Sequence, residues 1–153
     1  MKRNTIVCFF LMFLLLFTET GLTEGTGERT MKYRTEEIQM KMTIGETLVE
    51  VAWENNDSVK ALKELAANSL SVQMSMYGGF EQVGSIGSRL PRNDQQTVTE
   101  SGDIVLYSGD QIVVFYGSNS WTYTRLGKIT DKSADEMREL LSHGNVTITI
   151  TSE

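Results

Sequence analysis

The chain has 153 residues, 22% of them charged and 40% apolar, which is the length and composition of one ordinary domain that buries a core without disulfides or a structural metal. One Cys, one His and one Pro exclude zinc fingers, zinc ribbons, thiol redox pairs and cysteine frameworks. Fourteen basic against 20 acidic residues give a net charge of −6, and no basic run could neutralise a phosphate backbone, so nucleic acid is not an expected partner.

Lys2 and Arg3 precede Ile6 to Phe17, an apolar run with no charge that ends at Thr18, Glu19 and Thr20. This is the pattern of a signal peptide, and it is shorter than the roughly 20 apolar residues of a stable membrane span. Thr23 and Gly25 set small residues for a cut after Gly25, so residues 1–25 read as a signal peptide or, if uncleaved, an N-terminal anchor. That anchor is the only membrane attachment expected. Cys8 lies within the run, without the small-residue approach of a lipoprotein signal, and reads as filler. Residues 26–37 form a Thr-, Gly- and Glu-containing tether, and residues 38–153 the folded domain. The expected location is extracytoplasmic, either secreted or membrane-tethered.

In the folded part, Ile38, Met40, Met42 and Ile44 alternate with polar residues as a strand with one wet face. A turn at Gly45 and Glu46 leads to Val49, Val51 and Trp53, read as its hairpin partner. The period then changes. Val59, Leu62, Leu65 and Ala66 recur at helical spacing behind Asp57 and Ser58, which predicts a helix over 58–67 capped by one of those two. Leu70, Val72, Met74 and Met76 alternate as a third strand that turns at Tyr77 to Phe80. Residues 81–86 stay extended, with Gly84 marking a bulge or a close backbone approach. Residues 87–101, with the lone Pro, read as an exposed excursion.

A second hairpin joins Ile104 to Tyr107 with Ile112 to Tyr116, and its continuous apolar run implies strands covered on both faces. Trp121 to Ile129 follows as a strand kinked at Gly127. Ser133 and Glu136 have the capping-box spacing for a short helix ended by His143 and Gly144, and Val146, Ile148 and Ile150 close the chain as a strand. His143 is explained by its place at a helix C-terminus. The expected fold is mainly β: a closed or nearly closed β-barrel of about eight strands with two short helices.

Four segments carry a resemblance: WENNDSVKALKEL at Trp53 to Leu65, SVQMSMYGGFEQVGSIGSRLP at Ser71 to Pro91, GDIVLYSGDQIVVFYG at Gly102 to Gly117, and SWTYTRLGKI at Ser120 to Ile129. Together they resemble the bacterial cyclophilin-like domain proteins, which implies a small cyclophilin-like barrel over residues 38–151. True cyclophilins isomerise prolyl peptides beside an essential arginine. When Gly79 and Phe80 are laid on the Gly-Phe pair of that signature, the arginine position falls on Ser75 and the glutamine position on Val83. Serine cannot supply the charge that stabilises a twisted amide.

The leading expectation is an exported binding module for a small molecule or peptide, without catalytic residues, cofactor or metal. A prolyl isomerase with a rearranged site is the alternative, with Arg89 or Arg125 in place of the missing arginine. A third reading, also implied by the resemblance, gives the chain a redox-protein partner of flavodoxin-like type. Candidate ligand-binding residues are Tyr77, Phe80, Arg89, Trp121, Tyr123 and Arg125, because alternate strand residues share a face and would align aromatic rings with a guanidinium. The competing reading packs Trp121 and Tyr123 into the barrel and pairs Arg125 with a carboxylate such as Asp103.

Overall fold

A computed structural model describes residues 38–153, so the expected signal peptide, Cys8 and the whole of the expected tether lie outside the described residues. The described residues form eleven strands and two helices: β1 (Met40–Ile44), β2 (Thr47–Val49), β3 (Val51–Trp53), α1 (Asp57–Leu65), β4 (Leu70–Gln73), β5 (Ser75–Tyr77), β6 (Glu81–Ser85), β7 (Gln95–Val98), β8 (Asp103–Tyr107), β9 (Gln111–Phe115), β10 (Ser120–Ile129), α2 (Ala134–Leu141) and β11 (Thr147–Ser152). All strand pairs are antiparallel. Four strands form one sheet in the order β2-β1-β11-β4. Seven form the other, in the order β3-β10-β8-β9-β6-β5, with β7 added against the first part of β10.

Alternation produces this arrangement directly. In β1, Met40, Met42 and Ile44 are buried while Lys41 is exposed, and in β11 Ile148 and Ile150 are buried opposite Val72 and Leu70 of β4. The large sheet answers with Ile104, Leu106, Ile112, Val114 and Leu126, all fully buried in the same core. Val59 and Leu62 of α1 and Met137 and Leu141 of α2 complete it. At about 25 cal/mol for each Å² of apolar surface removed from water, this shared interior is the main stabilising contribution.

The expected closed barrel is corrected: neither sheet closes on itself. Both edge strands of the small sheet run straight into edge strands of the large one, β2 into β3 across Glu50 and β4 into β5 across Met74. At these corners the backbone changes partner. Glu50 N–H donates to Asp131 Oδ1 at 2.9 Å and its carbonyl accepts from Thr130 N–H, while Met74 N–H donates to the Val146 carbonyl at 2.8 Å. Each alternating run that reads as one strand in the sequence is therefore cut in two. Val49 pairs with Met42 as a hairpin, whereas Val51 and Trp53 pair with β10.

Two local readings also change. Helix α1 starts at Asp57 and is capped by Asn56, whose side chain accepts from Val59 N–H at 2.9 Å; the chain then tightens into a 3₁₀ turn, Ala66–Asn68. The supposed excursion at 87–101 contains β7, which adds to the sheet beside β10. The capping box of α2 forms as expected, with Ser133 and Glu136 satisfying each other's backbone N–H groups. The kink at Gly127 is a register shift between Arg125 and Gly127.

Candidate functional site

Strands β8 and β9 are buried at four consecutive positions each, which the core alone does not explain. Alternate residues point away from the core, and on this outer face Val105, Val113, Phe115 and Tyr123 form a second buried cluster, with Phe80 and Val83 packed against it. The cross-strand register aligns Ser75, Val83, Val113, Val105 and Arg125 in one row over β5, β6, β9, β8 and β10. Tyr77, Glu81 and Phe115 form the next row.

A cavity of about 540 Å³ opens on this face. Val83 and Val113 lie along it, Tyr77, Tyr107, Trp121 and Tyr123 supply aromatic lining, and Glu81, Gln111 and Asn119 supply polar groups. Tyr77 is delivered by the β5–β6 turn, where Gly78 and Gly79 both take positive φ (63° and 74°), so the chain reverses tightly and sets Tyr77 opposite Glu81. Trp121 is held by β7, in register with Thr97.

Tyr123 is fixed from several sides. Its ring stands edge-on to Tyr107, with centroids 6.1 Å apart, and to Phe115, at 5.8 Å. Its hydroxyl accepts from the Asn119 amide at 3.0 Å, and Asn119 is itself tied to Thr99 by backbone N–H donation to Thr99 Oγ1 and by its carbonyl, which accepts from Thr99 N–H. Burial, and next the neighbouring Glu81 carboxylate, push the Tyr123 phenol up, while the Asn119 donor works against them.

Glu81 is the unusual group. It is only 6% exposed, and its Oε2 has no hydrogen-bond partner among the described residues. Burial raises its pKa from 4.5 to about 7. Among the described residues no Lys, Arg or His lies along the cavity to neutralise it. Sequence reasoning passed over Glu81 as part of an extended polar segment. The available signal was its shared face with Val83, two residues on, beneath strands already read as covered on both sides.

Of the expected ligand residues, Tyr77, Trp121 and Tyr123 come together on this cavity. Phe80 packs beneath it, in the outer cluster. Arg89 lies elsewhere: its guanidinium donates to the Ser108 carbonyl at 2.9 Å and sits 3.6 Å from Asp110. Arg125 pairs with buried Asp103 at 3.4 Å, the pairing that the competing reading named. Arg125 faces a second, more polar cavity of about 610 Å³, bounded by the start of α1, Pro91 to Asn93 and β7. The cationic groups around that cavity already have carboxylate neighbours: Lys60 with Asp57, Arg92 with Asp94, and Arg125 with Asp103. Among the described residues no group of three or more His, Cys, Asp or Glu could hold a metal ion, and no helix is long and apolar enough to cross a membrane.

A family model described as the cyclophilin-like family matches residues 42–151, nearly the whole of the described domain. The chain belongs to the cyclophilin-like family. This cyclophilin-like domain is also similar to the solution structure of the hypothetical protein AF2241 from Archaeoglobus fulgidus, with a TM-score of 0.59 at 14% identity, over 80% of this chain and 99% of that one. The likeness speaks for the fold alone. No curated protein matches the chain. Within the cyclophilin-like frame, Ser75 and Val83, the positions corresponding to the signature's arginine and glutamine, face each other across β5 and β6.

Proposed function

We propose that this cyclophilin-like domain is an exported binding module that holds a small molecule or a peptide group in the aromatic cavity on the outer face of its large sheet. Export rests on the Lys2 and Arg3 start followed by the apolar run from Ile6 to Phe17. Binding rests on one observation above all: a cavity lined by four aromatic rings includes a buried carboxyl whose Oε2 has no partner among the described residues. A buried polar atom left unpaired costs about 1–3 kcal/mol, and a ligand that pairs it recovers that cost.

Two observations weigh against isomerase chemistry. Ser75 and Val83 bring no charge to the peptide-binding face, and Arg89 and Arg125 are held by Asp110 and Asp103 away from the aromatic cavity. Titrating a fragment set into isotope-labelled protein and following backbone amide shifts tests the reading. Shifts gathered at Tyr77, Glu81, Trp121 and Tyr123, and lost in Trp121→Ala, are the expected result. Shifts gathered around Arg92 and Arg125 instead would overturn it.

A further inference from the structure

The binding reading leaves the chemistry of the ligand open, and the cavity narrows it. We propose that the aromatic cavity recognises a small organic cation, an alkylammonium group seated against the rings of Tyr77, Tyr107, Trp121 and Tyr123 with its charge directed at Glu81. This inference rests on the binding reading and goes beyond it by naming the class of ligand.

Several features together select a cation. The faces of tyrosine and tryptophan rings carry the negative part of the ring quadrupole, so a cavity lined by four of them attracts positive charge. Trp121 and Tyr77, at 57% and 66% exposure, keep much of their ring surface free of protein cover. Glu81 adds a carboxyl whose Oε2 is unpartnered among the described residues, none of whose Lys, Arg or His side chains lines the cavity to satisfy it from within. Val83 and Val113 give the floor an apolar surface that suits methyl or methylene groups around a nitrogen. The chain's net charge of −6 favours the approach of the same sign of ligand.

The proton on Glu81 is the competitor. Because its pKa stands near 7, the free protein holds that proton over much of the neutral range, and the cation must displace it. The other titratable groups on the cavity are the phenols of Tyr77, Tyr107 and Tyr123. Affinity for a permanent cation therefore rises between about pH 6 and pH 8, as the carboxylate is exposed.

Choline and its uncharged isostere 3,3-dimethylbutan-1-ol are the probes, followed by amide shifts and tryptophan fluorescence in the intact protein. Choline is expected to perturb Tyr77, Glu81 and Trp121 and to bind at least about tenfold more tightly than the isostere, with Glu81→Gln removing about that factor. Trp121→Phe, which keeps an aromatic face, should retain more affinity than Trp121→Ala. N-acetyl-lysine methylamide carries an ammonium on a peptide unit; tighter binding than choline supports the same chemistry and assigns its source to a peptide side chain. Equal binding of the neutral isostere at the same residues would overturn the cation and leave the binding reading standing. Perturbation by none of the three would overturn both.

Discussion

Ser75 and Val83 stand directly opposite each other across the β5–β6 ladder, so the positions that the cyclophilin signature would give to arginine and glutamine form a small, uncharged pair beside the aromatic cavity. Stabilising a twisted prolyl amide needs a preorganised charge at that place, and neither Ser75 nor Val83 carries one. A proline-peptide isomerisation assay is expected to give the uncatalysed rate. Acceleration that disappears in Arg125→Ala or Arg89→Ala would restore the enzyme reading.

Glu81 should make stability depend on pH with a definite sign. Its folded-state pKa, about 7, lies above its ordinary value of 4.5, so between these limits the folded chain holds a proton that the unfolded chain has released. Stability therefore falls as pH rises through that window. Each pKa unit corresponds to about 1.4 kcal/mol, and water reaching the carboxyl through the cavity mouth reduces the total to about 2 kcal/mol. Glu81→Gln, which cannot ionise, should match the parent near pH 5 and exceed it by about 2 kcal/mol near pH 8 in urea unfolding. A variant equally destabilised at both values would show that Glu81 has a structural partner after all.

Arg125 should behave as a structural residue. Asp103 is buried, with Oδ2 accepting from Glu100 N–H at 2.9 Å and Oδ1 3.4 Å from Arg125 and 3.8 Å from Lys128. Removing the guanidinium leaves a partly compensated buried carboxylate, because the Glu100 N–H and Lys128 remain. Arg125→Ala should cost about 1–2 kcal/mol of stability and leave choline binding unchanged. Lost binding with unchanged stability would move the site to the second cavity.

Gly84 tests the corner where the sheets meet. A Cβ placed there would lie 2.6 Å from the Gln73 carbonyl oxygen, from Met74 Sδ and from Val72 Cγ1, so β4 crosses β6 with no space for a side chain. Gly84→Ala should destabilise by about 2–3 kcal/mol in the same unfolding experiment. A neutral result would mean that the corner is looser than this packing.

Much of the fold was legible because two-residue alternation is a local property. Met40 to Ile44 and Ile148 with Ile150 each announce which face is wet and which is dry, while the continuous apolar runs between Ile104 and Phe115 announce strands covered on both faces. The corners at Glu50 and Met74 were not legible, because alternation continues through a bend and only a change of hydrogen-bond partner marks it. Strand β7 was hidden for a different reason: only Thr97 of its four residues is buried, and its partner lies more than twenty residues further along the chain.

The site divides along the same line. The shared face of Trp121 and Tyr123 follows from strand geometry and was readable. The isolation of Glu81 is a tertiary property, set by a turn that brings Tyr77 opposite it and by a neighbouring strand that offers only Phe115 across from it. Arg89 and Arg125 carried attractive charge in the sequence, and only the fold shows Asp110 and Asp103 occupying them.

The most direct test is the titration of the Glu81 side-chain carboxyl, followed by carbon NMR in the intact protein with and without saturating choline. The account predicts a midpoint near 7 for the free protein, as burial without a partner requires, and a clearly lower midpoint with choline bound. A midpoint near the ordinary 4.5 in the free protein, or one that choline does not move, would contradict it.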